Sequence, residues 1–175
     1  MRLQVKVKEI PENESCHYHG ELPLSIMPRL VAIVGEQKSI LYFSFDLLRE
    51  GRQVSINGTQ NCVIVLICDR CLEPFEFTQS EIFHIVLKPA VEQAVLEGEV
   101  NLSMEDLDID YYQGELLDLQ ELLEEQSLLG LPMRNLCSEN CKGRCARCGI
   151  NLNQQTCLCP TPDLSDHPFA GLSRL

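Results

Sequence analysis

The sequence predicts an α+β protein: an antiparallel β-meander core, one Leu-rich helix and a C-terminal Cys-rich module. Three observations predict it. Between residues 39 and 87, runs of aromatic and branched side chains alternate with polar ones and are separated by turn residues, the pattern of strands packed on one face. Between 116 and 125, leucines recur at helical spacing. Six of the ten cysteines fall between 137 and 159, a density that marks a segment organised by sulfur chemistry.

Taken in order, residues 2–9 alternate and read as a strand. Residues 10–30 are mixed and interrupted by Pro11, Gly20, Pro23 and Pro28. Residues 39–48 read as a strand, with a hairpin turn over 49–52. Residues 53–57 alternate, and Asn57-Gly58 is a tight-turn signal. The continuous apolar run 62–68 predicts a central strand buried on both faces. The chain then returns through 75–78 and 82–87. Residues 88–114 read as an acidic connector with one short strand. The helix follows, with Leu116, Leu117, Leu119, Leu122 and Leu123 forming an apolar stripe and Asp118, Glu121, Glu124 and Glu125 turned outward. Gly130 and Pro132 stop it. The stripe is expected to pack on the sheet; a groove for a partner is the sharper alternative. The domain boundary follows: 1–131 is a mainly β core ending in the amphipathic helix, and 132–175 is the Cys-rich module and tail.

The chain has 175 residues, 45% of them hydrophobic, enough for a buried core. The opening residues alternate instead of forming the apolar stretch of a signal peptide. No run reaches the roughly 20 apolar residues that span a bilayer. A cytoplasmic protein with no membrane association is expected. In a reducing compartment, cysteines serve as metal ligands or catalysts more often than as disulfides.

The net charge of −12 is concentrated. Twelve acids lie between Glu92 and Gln126, with no Lys, Arg or His among them, and charges balance elsewhere. Such a field repels phosphate backbones and attracts basic partners; the plainer reading is a solvated acidic face.

Four cysteine pairs carry the chemistry: Cys68-x-x-Cys71, Cys137-x-x-x-Cys141, Cys145-x-x-Cys148 and Cys157-x-Cys159. Zinc takes four soft ligands in a tetrahedron, and two cysteines separated by two residues curl round one ion. Gly149, directly after Cys148, supplies the positive φ that such a turn needs. The eight cysteines therefore predict two structural Zn2+ ions. The spacing favours Cys145, Cys148, Cys157 and Cys159 as one local site, and Cys68, Cys71, Cys137 and Cys141 as the other. An alternative groups Cys137, Cys141, Cys145 and Cys148, leaving Cys68 and Cys71 to join Cys157 and Cys159. Cys62 reads as a small buried residue, and Cys16-His17-Tyr18-His19 as a breaker-rich segment lacking further ligands.

Catalytic readings fare less well. Cys141-x-x-x-Cys145-x-x-Cys148 has the spacing of an iron–sulfur motif, but it sits at the end of a chain too short for the barrel that uses it. A thiol-redox role for Cys68 and Cys71 lacks a helix N-terminus to activate the thiol. No Gly-rich phosphate loop appears, and His17, His19, His84 and His167 fall in no recognisable motif. A zinc closed by four cysteines leaves no position for substrate, so a non-enzymatic protein is expected.

On these residues the chain resembles the YceD family. The likeness runs through Cys68-Asp-Arg-Cys71-Leu72, Pro74-Phe75, Leu131-Pro132, Leu136-Cys137, Cys141-Lys-Gly143, Cys145-Ala-Arg-Cys148-Gly149, Asn151-Leu-Asn153, Cys157-x-Cys159 and the tail from Asp166 to Leu172. Arg144 and Ala146 depart from the family's usual residues, and neither change removes a ligand. The resemblance implies a role in accumulation of large-subunit ribosomal RNA, hence in ribosome assembly. The implied partners are a ribosomal protein or a pre-ribosomal particle, with ribosomal RNA reached through a basic patch of Arg134, Lys142, Arg144 and Arg147. The alternative is a chaperone-like holder of a basic ribosomal protein; a thiol oxidoreductase is the third reading.

Overall fold

Alternation of apolar and polar residues accounts for most of the architecture. The computed structural model describes residues 3–90 and 109–160. Its strands are β1 (Gln4–Lys6), β2 (Ser15–Pro23), β3 (Ile40–Glu50), β4 (Gln53–Ile67), β5 (Pro74–Pro89), β6 (Ile109–Tyr112) and β7 (Leu116–Asp118), with helices α1 (Pro28–Val34) and α2 (Leu119–Leu129). The main sheet has the order β2-β3-β4-β5-β6, a meander, and β1 pairs with β7. The β2–β3 and β3–β4 pairs are antiparallel, while β6 joins the edge parallel to β5. The α+β class and the meander stand, with one parallel edge strand added.

Two compact units result, one of residues 1–66 and 75–133, the other of 67–74 and 134–175. In the first, Leu41, Phe43, Phe45 and Leu47 of β3 and Val54, Ile56, Cys62, Ile64 and Leu66 of β4 point to one face and are buried. They pack with Phe83, Ile85, Leu117, Leu119 and Leu123 in a single cluster.

Several expectations are corrected. The breaker-rich stretch 10–30 contains the nine-residue strand β2. Its polar alternation fits an edge, and Pro23 falls at its end, where no ladder N–H is missed. Asn57-Gly58 is no turn. Gly58 lies inside β4 opposite Phe45, and a Cβ there would come within 2.3 Å of Phe45 Cβ. The hairpin turn expected over 49–52 does form, closing at 51–52, where Glu50 faces Gln53 and Gly51 has φ +63. The apolar run 62–68 is not covered on both faces: Val63 and Val65 remain more than 40% exposed. The helix starts at Leu119, capped by Asp118, whose side chain accepts from Glu121 N at 3.1 Å. Leu116 and Leu117 belong to β7 instead.

Glu124 does not turn outward. It is 5% exposed, and its Oε1 accepts from the backbone N–H groups of Arg29 (2.6 Å) and Leu30 (3.0 Å). Helix α1 begins with Pro28 after Met27, which offers no side-chain cap. The unsatisfied N–H groups of its first turn therefore draw in a carboxylate from α2. A second polar set is buried beneath α2. Gln79 Nε2 donates to Ser127 O at 2.8 Å, and the Gln60 amide donates to Leu123 O at 3.2 Å and accepts from Ser127 N at 2.9 Å. Buried polar groups are tolerated when paired in this way.

Of the acidic segment 92–126, residues 92–108 lie outside the described residues. Much of the remainder is engaged within the first unit. Arg29 pairs with Glu121, Glu124 and Glu125, and Lys8 with Glu115. Among the described residues, no helix is long and apolar enough to cross a membrane.

Candidate metal centre

Among its described residues, the second unit has almost no hydrocarbon interior. Its buried positions among the described residues are Cys68, Cys71, Cys141 and Gly143. What the fold protects there is sulfur. Two groups of four cysteines form, Cys68 with Cys71, Cys137 and Cys141, and Cys145 with Cys148, Cys157 and Cys159. Within each group the ligand atoms all lie within 4.8 Å of one another. This is the pairing the spacing favoured, and the alternative pairing is not formed.

The separations suit a tetrahedral metal. Sulfurs about 2.3 Å from one ion stand about 3.8 Å apart. Cys68 and Cys141 are 3.8 Å apart, Cys71 and Cys137 3.7 Å, Cys148 and Cys157 3.5 Å, and Cys145 and Cys157 3.3 Å. A disulfide needs about 2.05 Å, and all ten cysteines are free. Each group could hold one metal ion.

Each site is built on a turn of the same geometry. In the first, Leu72 N donates to Cys68 O (2.9 Å) and Cys68 N to Glu73 O (3.0 Å); in the second, Gly149 N donates to Cys145 O (2.9 Å) and Cys145 N to Ile150 O (2.9 Å). The residue after the second cysteine is left-handed in both, with φ +60 at Leu72 and +72 at Gly149. Glycine is the easy solution there; Leu72 adopts it with a side chain. The repeat is faint in the sequence because only the two cysteines and the arginine before the second of them, Arg70 and Arg147, are shared.

Side chains and backbone around these turns support them. Arg144 Nε donates to Cys71 O at 2.7 Å, and its guanidinium pairs with Glu73 at 3.2 Å. Arg70 donates to Cys141 O at 2.9 Å. Asp69 and Asn135 exchange two 2.7 Å bonds, Asp69 N to Asn135 O and Asn135 N to Asp69 Oδ2. Arg144, which reads in the sequence as free positive charge, thus braces the first site together with Arg70. Lys142 and Arg147 remain exposed, with no ion pair among the described residues.

The sulfurs already share their protons unequally. Burial works to raise the Cys68 thiol, but backbone N–H groups of Cys137, Cys71 and Arg70 outweigh it and bring it down to about 6. The backbone N–H groups of Cys148 and Arg147 bring Cys145 to about 6. Cys137 is pushed up to about 12, chiefly by Cys141, and Cys159 to about 12, chiefly by Cys157. The Glu73 N–H pulls Cys71 down, and burial with Cys68 and Cys141 more than reverses it; the Cys159 N–H pulls Cys157 down, and Cys145, Cys148 and burial together more than reverse it. At pH 7, therefore, Cys71 and Cys137 keep protons in one site, and Cys157 and Cys159 in the other. Metal needs thiolate, so each ion should expel at least two protons. Apparent affinity per site should fall at least about 100-fold for each unit of acidification near neutrality. Chelator competition at several pH values checks this; pH-independent affinity would contradict it.

The other candidates separate in space. The alternation of β2 puts exposed His17 and His19 on one face and half-buried Cys16 and Tyr18 on the other. His17 instead bridges Asp46 (Nδ1, 2.9 Å) and Ser44 (Nε2, 3.4 Å). That order echoes a Ser–His–Asp relay, but His17 and Asp46 are both more than half exposed, where such a pair is screened by water. His84 pairs with Asn57. Cys62 is buried, and burial pushes its thiol up to about 11, an inert core position.

Comparison with known proteins places these features in context. The family model described as "Large ribosomal RNA subunit accumulation protein YceD" matches residues 56–175, a span that includes all eight clustered cysteines. A chloroplastic "Large ribosomal RNA subunit accumulation protein YCED homolog 1" from Arabidopsis thaliana is 27% identical over 136 residues, covering 66% of this chain and 42% of that protein. Its Zea mays counterpart is 28% identical over 138 residues, covering 66% and 47%. This chain thus spans less than half the length of either relative. No solved structure matches it.

Proposed function

The chain belongs to the YceD family, and from that premise we propose that it is a non-enzymatic, zinc-binding factor of ribosome biogenesis that supports large-subunit ribosomal RNA accumulation. The observation that carries the mechanism is the second unit, whose buried positions among the described residues are three cysteines and one glycine. A segment with so little apolar interior is held by what its sulfurs bind. Thiolate-only, tetrahedral sites suit zinc. In this reading Cys68, Cys71, Cys137 and Cys141 hold one ion, and Cys145, Cys148, Cys157 and Cys159 the other. With every position filled by protein sulfur, neither ion meets substrate. Residues 1–131 then serve as scaffold, lending Cys68 and Cys71 on the 67–74 turn, and 132–175 supply the rest of the zinc module, working in a reducing compartment such as the cytoplasm.

The module offers Arg134, Lys142 and Arg147 to a pre-ribosomal particle, while each zinc held by four thiolates carries about two negative charges that temper the patch. The second reading, a holder of a basic ribosomal protein, rests on the net charge of −12. The internal pairing of Glu115, Glu121, Glu124 and Glu125 weakens it, because those carboxylates are already occupied.

The test is binding of the zinc-loaded chain to large-subunit ribosomal RNA and to basic ribosomal proteins across a salt series. Lys142→Glu with Arg147→Glu should weaken RNA binding about tenfold and flatten its salt dependence. Binding to a basic protein alone, unaffected by those changes, favours the second reading. No binding to either at low salt overturns both.

A further inference from the structure

We propose that the two metal sites load cooperatively, and that Asn153, carried on the loop of one site, is the positioning residue that couples them by donating its amide N–H to Cys141 Sγ of the other. The inference rests on the zinc reading and goes beyond it.

Asn153 lies between Cys148 and Cys157, in the segment that the second site closes. Its Nδ2 stands 3.2 Å from Cys141 Sγ, a sulfur of the first site. Its orientation is set on several sides. Asn151 Oδ1 accepts from Asn153 N (2.9 Å) and Nδ2 (3.0 Å), and Asn153 Oδ1 accepts from Lys142 N (2.8 Å). Leu152 N donates to Gly143 O at 2.9 Å. The loop of the second site is thus laid along the residues that directly follow Cys141.

Four thiolates on one divalent cation leave two surplus negative charges, and each N–H aimed at a sulfur disperses some of it. Cys68 receives a backbone donor, Cys137 N at 3.5 Å. Cys141 receives a side-chain donor from the neighbouring site's loop. If the second site empties, residues 149–156 lose the anchor at both ends, and that donor leaves with them. Removing an outer-shell partner of a ligand costs about 10–100-fold in metal affinity. Linkage requires the effect to be reciprocal: each ion must favour the other by the same factor.

The experiment uses the full chain, reduced and stripped by chelator, then titrated with cobalt(II) and, by competition, zinc. Cys157→Ser with Cys159→Ser should lower first-site affinity about tenfold, and Cys68→Ser with Cys71→Ser should lower second-site affinity by the same factor. Asn153→Asp keeps the acceptor for Lys142 N and the shape while removing the donor. It should also lower first-site affinity about tenfold, and adding it to the second-site variant should cost nothing more. It should shift the thiolate-to-cobalt charge-transfer band of the first site and leave the second site's band in place, which mere loosening of the loop would not do. Additive losses, or an unchanged band, overturn the role of Asn153. Coupling that survives Asn153→Asp assigns it to the short chain between Cys141 and Cys145 and overturns the proposal. Two ions bound independently overturn the coupling and leave the zinc reading intact; no metal bound overturns both.

Discussion

Removing the metal should abolish the fold of residues 67–74 and 134–160 while leaving the five-stranded sheet in place. The asymmetry follows from what each unit buries. The first has a continuous cluster running from Val7 to Leu123, including Phe45, Leu47 and Ile64 at no more than 2% exposure. Area of that kind, removed from water, holds a sheet together without help. The second protects cysteines and Gly143, while Leu72 and Leu158 are 58% and 96% exposed. Its hydrogen bonds alone cannot offset the entropy of ordering the chain. Structural zinc in small modules supplies folding free energy on the order of 10 kcal/mol, so its loss exceeds anything the module can supply from packing. Amide exchange read by mass spectrometry, with and without chelator under reducing conditions, checks this. Amides such as Asp69 N, Cys141 N and Leu152 N should lose protection, and those of β3 and β4 should keep it. A module that stays protected after all metal is gone would mean that the sulfur clusters are not what holds it.

The pattern of what was legible in the sequence follows the range of the physics involved. Cysteine spacing is local chemistry, and it anticipated which sulfurs the fold would gather. The meander was legible because β3 and β5 alternate strongly enough to declare a face. The failures involve partners far along the chain. β2 alternates His17, His19 and Glu21 with Cys16, Tyr18 and Leu22, a pattern that Gly20 and the neighbouring prolines obscure. Asn57-Gly58 looks like a turn, but Gly58 is there because Phe45 of the neighbouring strand approaches too closely for a side chain. Val63 and Val65 are apolar yet exposed, and nothing in a run of branched residues tells one open face from two closed ones. Arg144 looked like free charge because its partners, Cys71 O and Glu73, lie more than 70 residues earlier. Asn153 acquires meaning only once its loop lies beside Cys141.

Glu124 shows the same limit with a measurable consequence: Glu124→Ala should destabilise the first unit by about 2–3 kcal/mol. On the helical wheel of α2 its charge made it a solvent-facing residue. The structure uses it as the N-cap that α1 lacks. Pro28 has no N–H to satisfy, and the next two, of Arg29 and Leu30, both donate to Glu124 Oε1. Truncation leaves those donors without a partner, one of them buried, and removes a carboxylate that lies 3.5 Å from Arg29 Nε. The ion pair adds little by itself, because the Arg29 side chain is 46% exposed and water screens it. The hydrogen bonds carry most of the effect. Glu124→Gln therefore separates the two contributions, since it keeps an oxygen acceptor for both N–H groups and loses the charge; it should cost only about 1 kcal/mol. Urea denaturation of the full, metal-loaded chain followed by far-UV circular dichroism reads the difference, the chain having no Trp for fluorescence. An Ala variant within about 0.5 kcal/mol of the parent, the range of an ordinary surface substitution, would show that α1 does not depend on this cap. A Gln variant as unstable as Ala would move the credit from the hydrogen bonds to the charge.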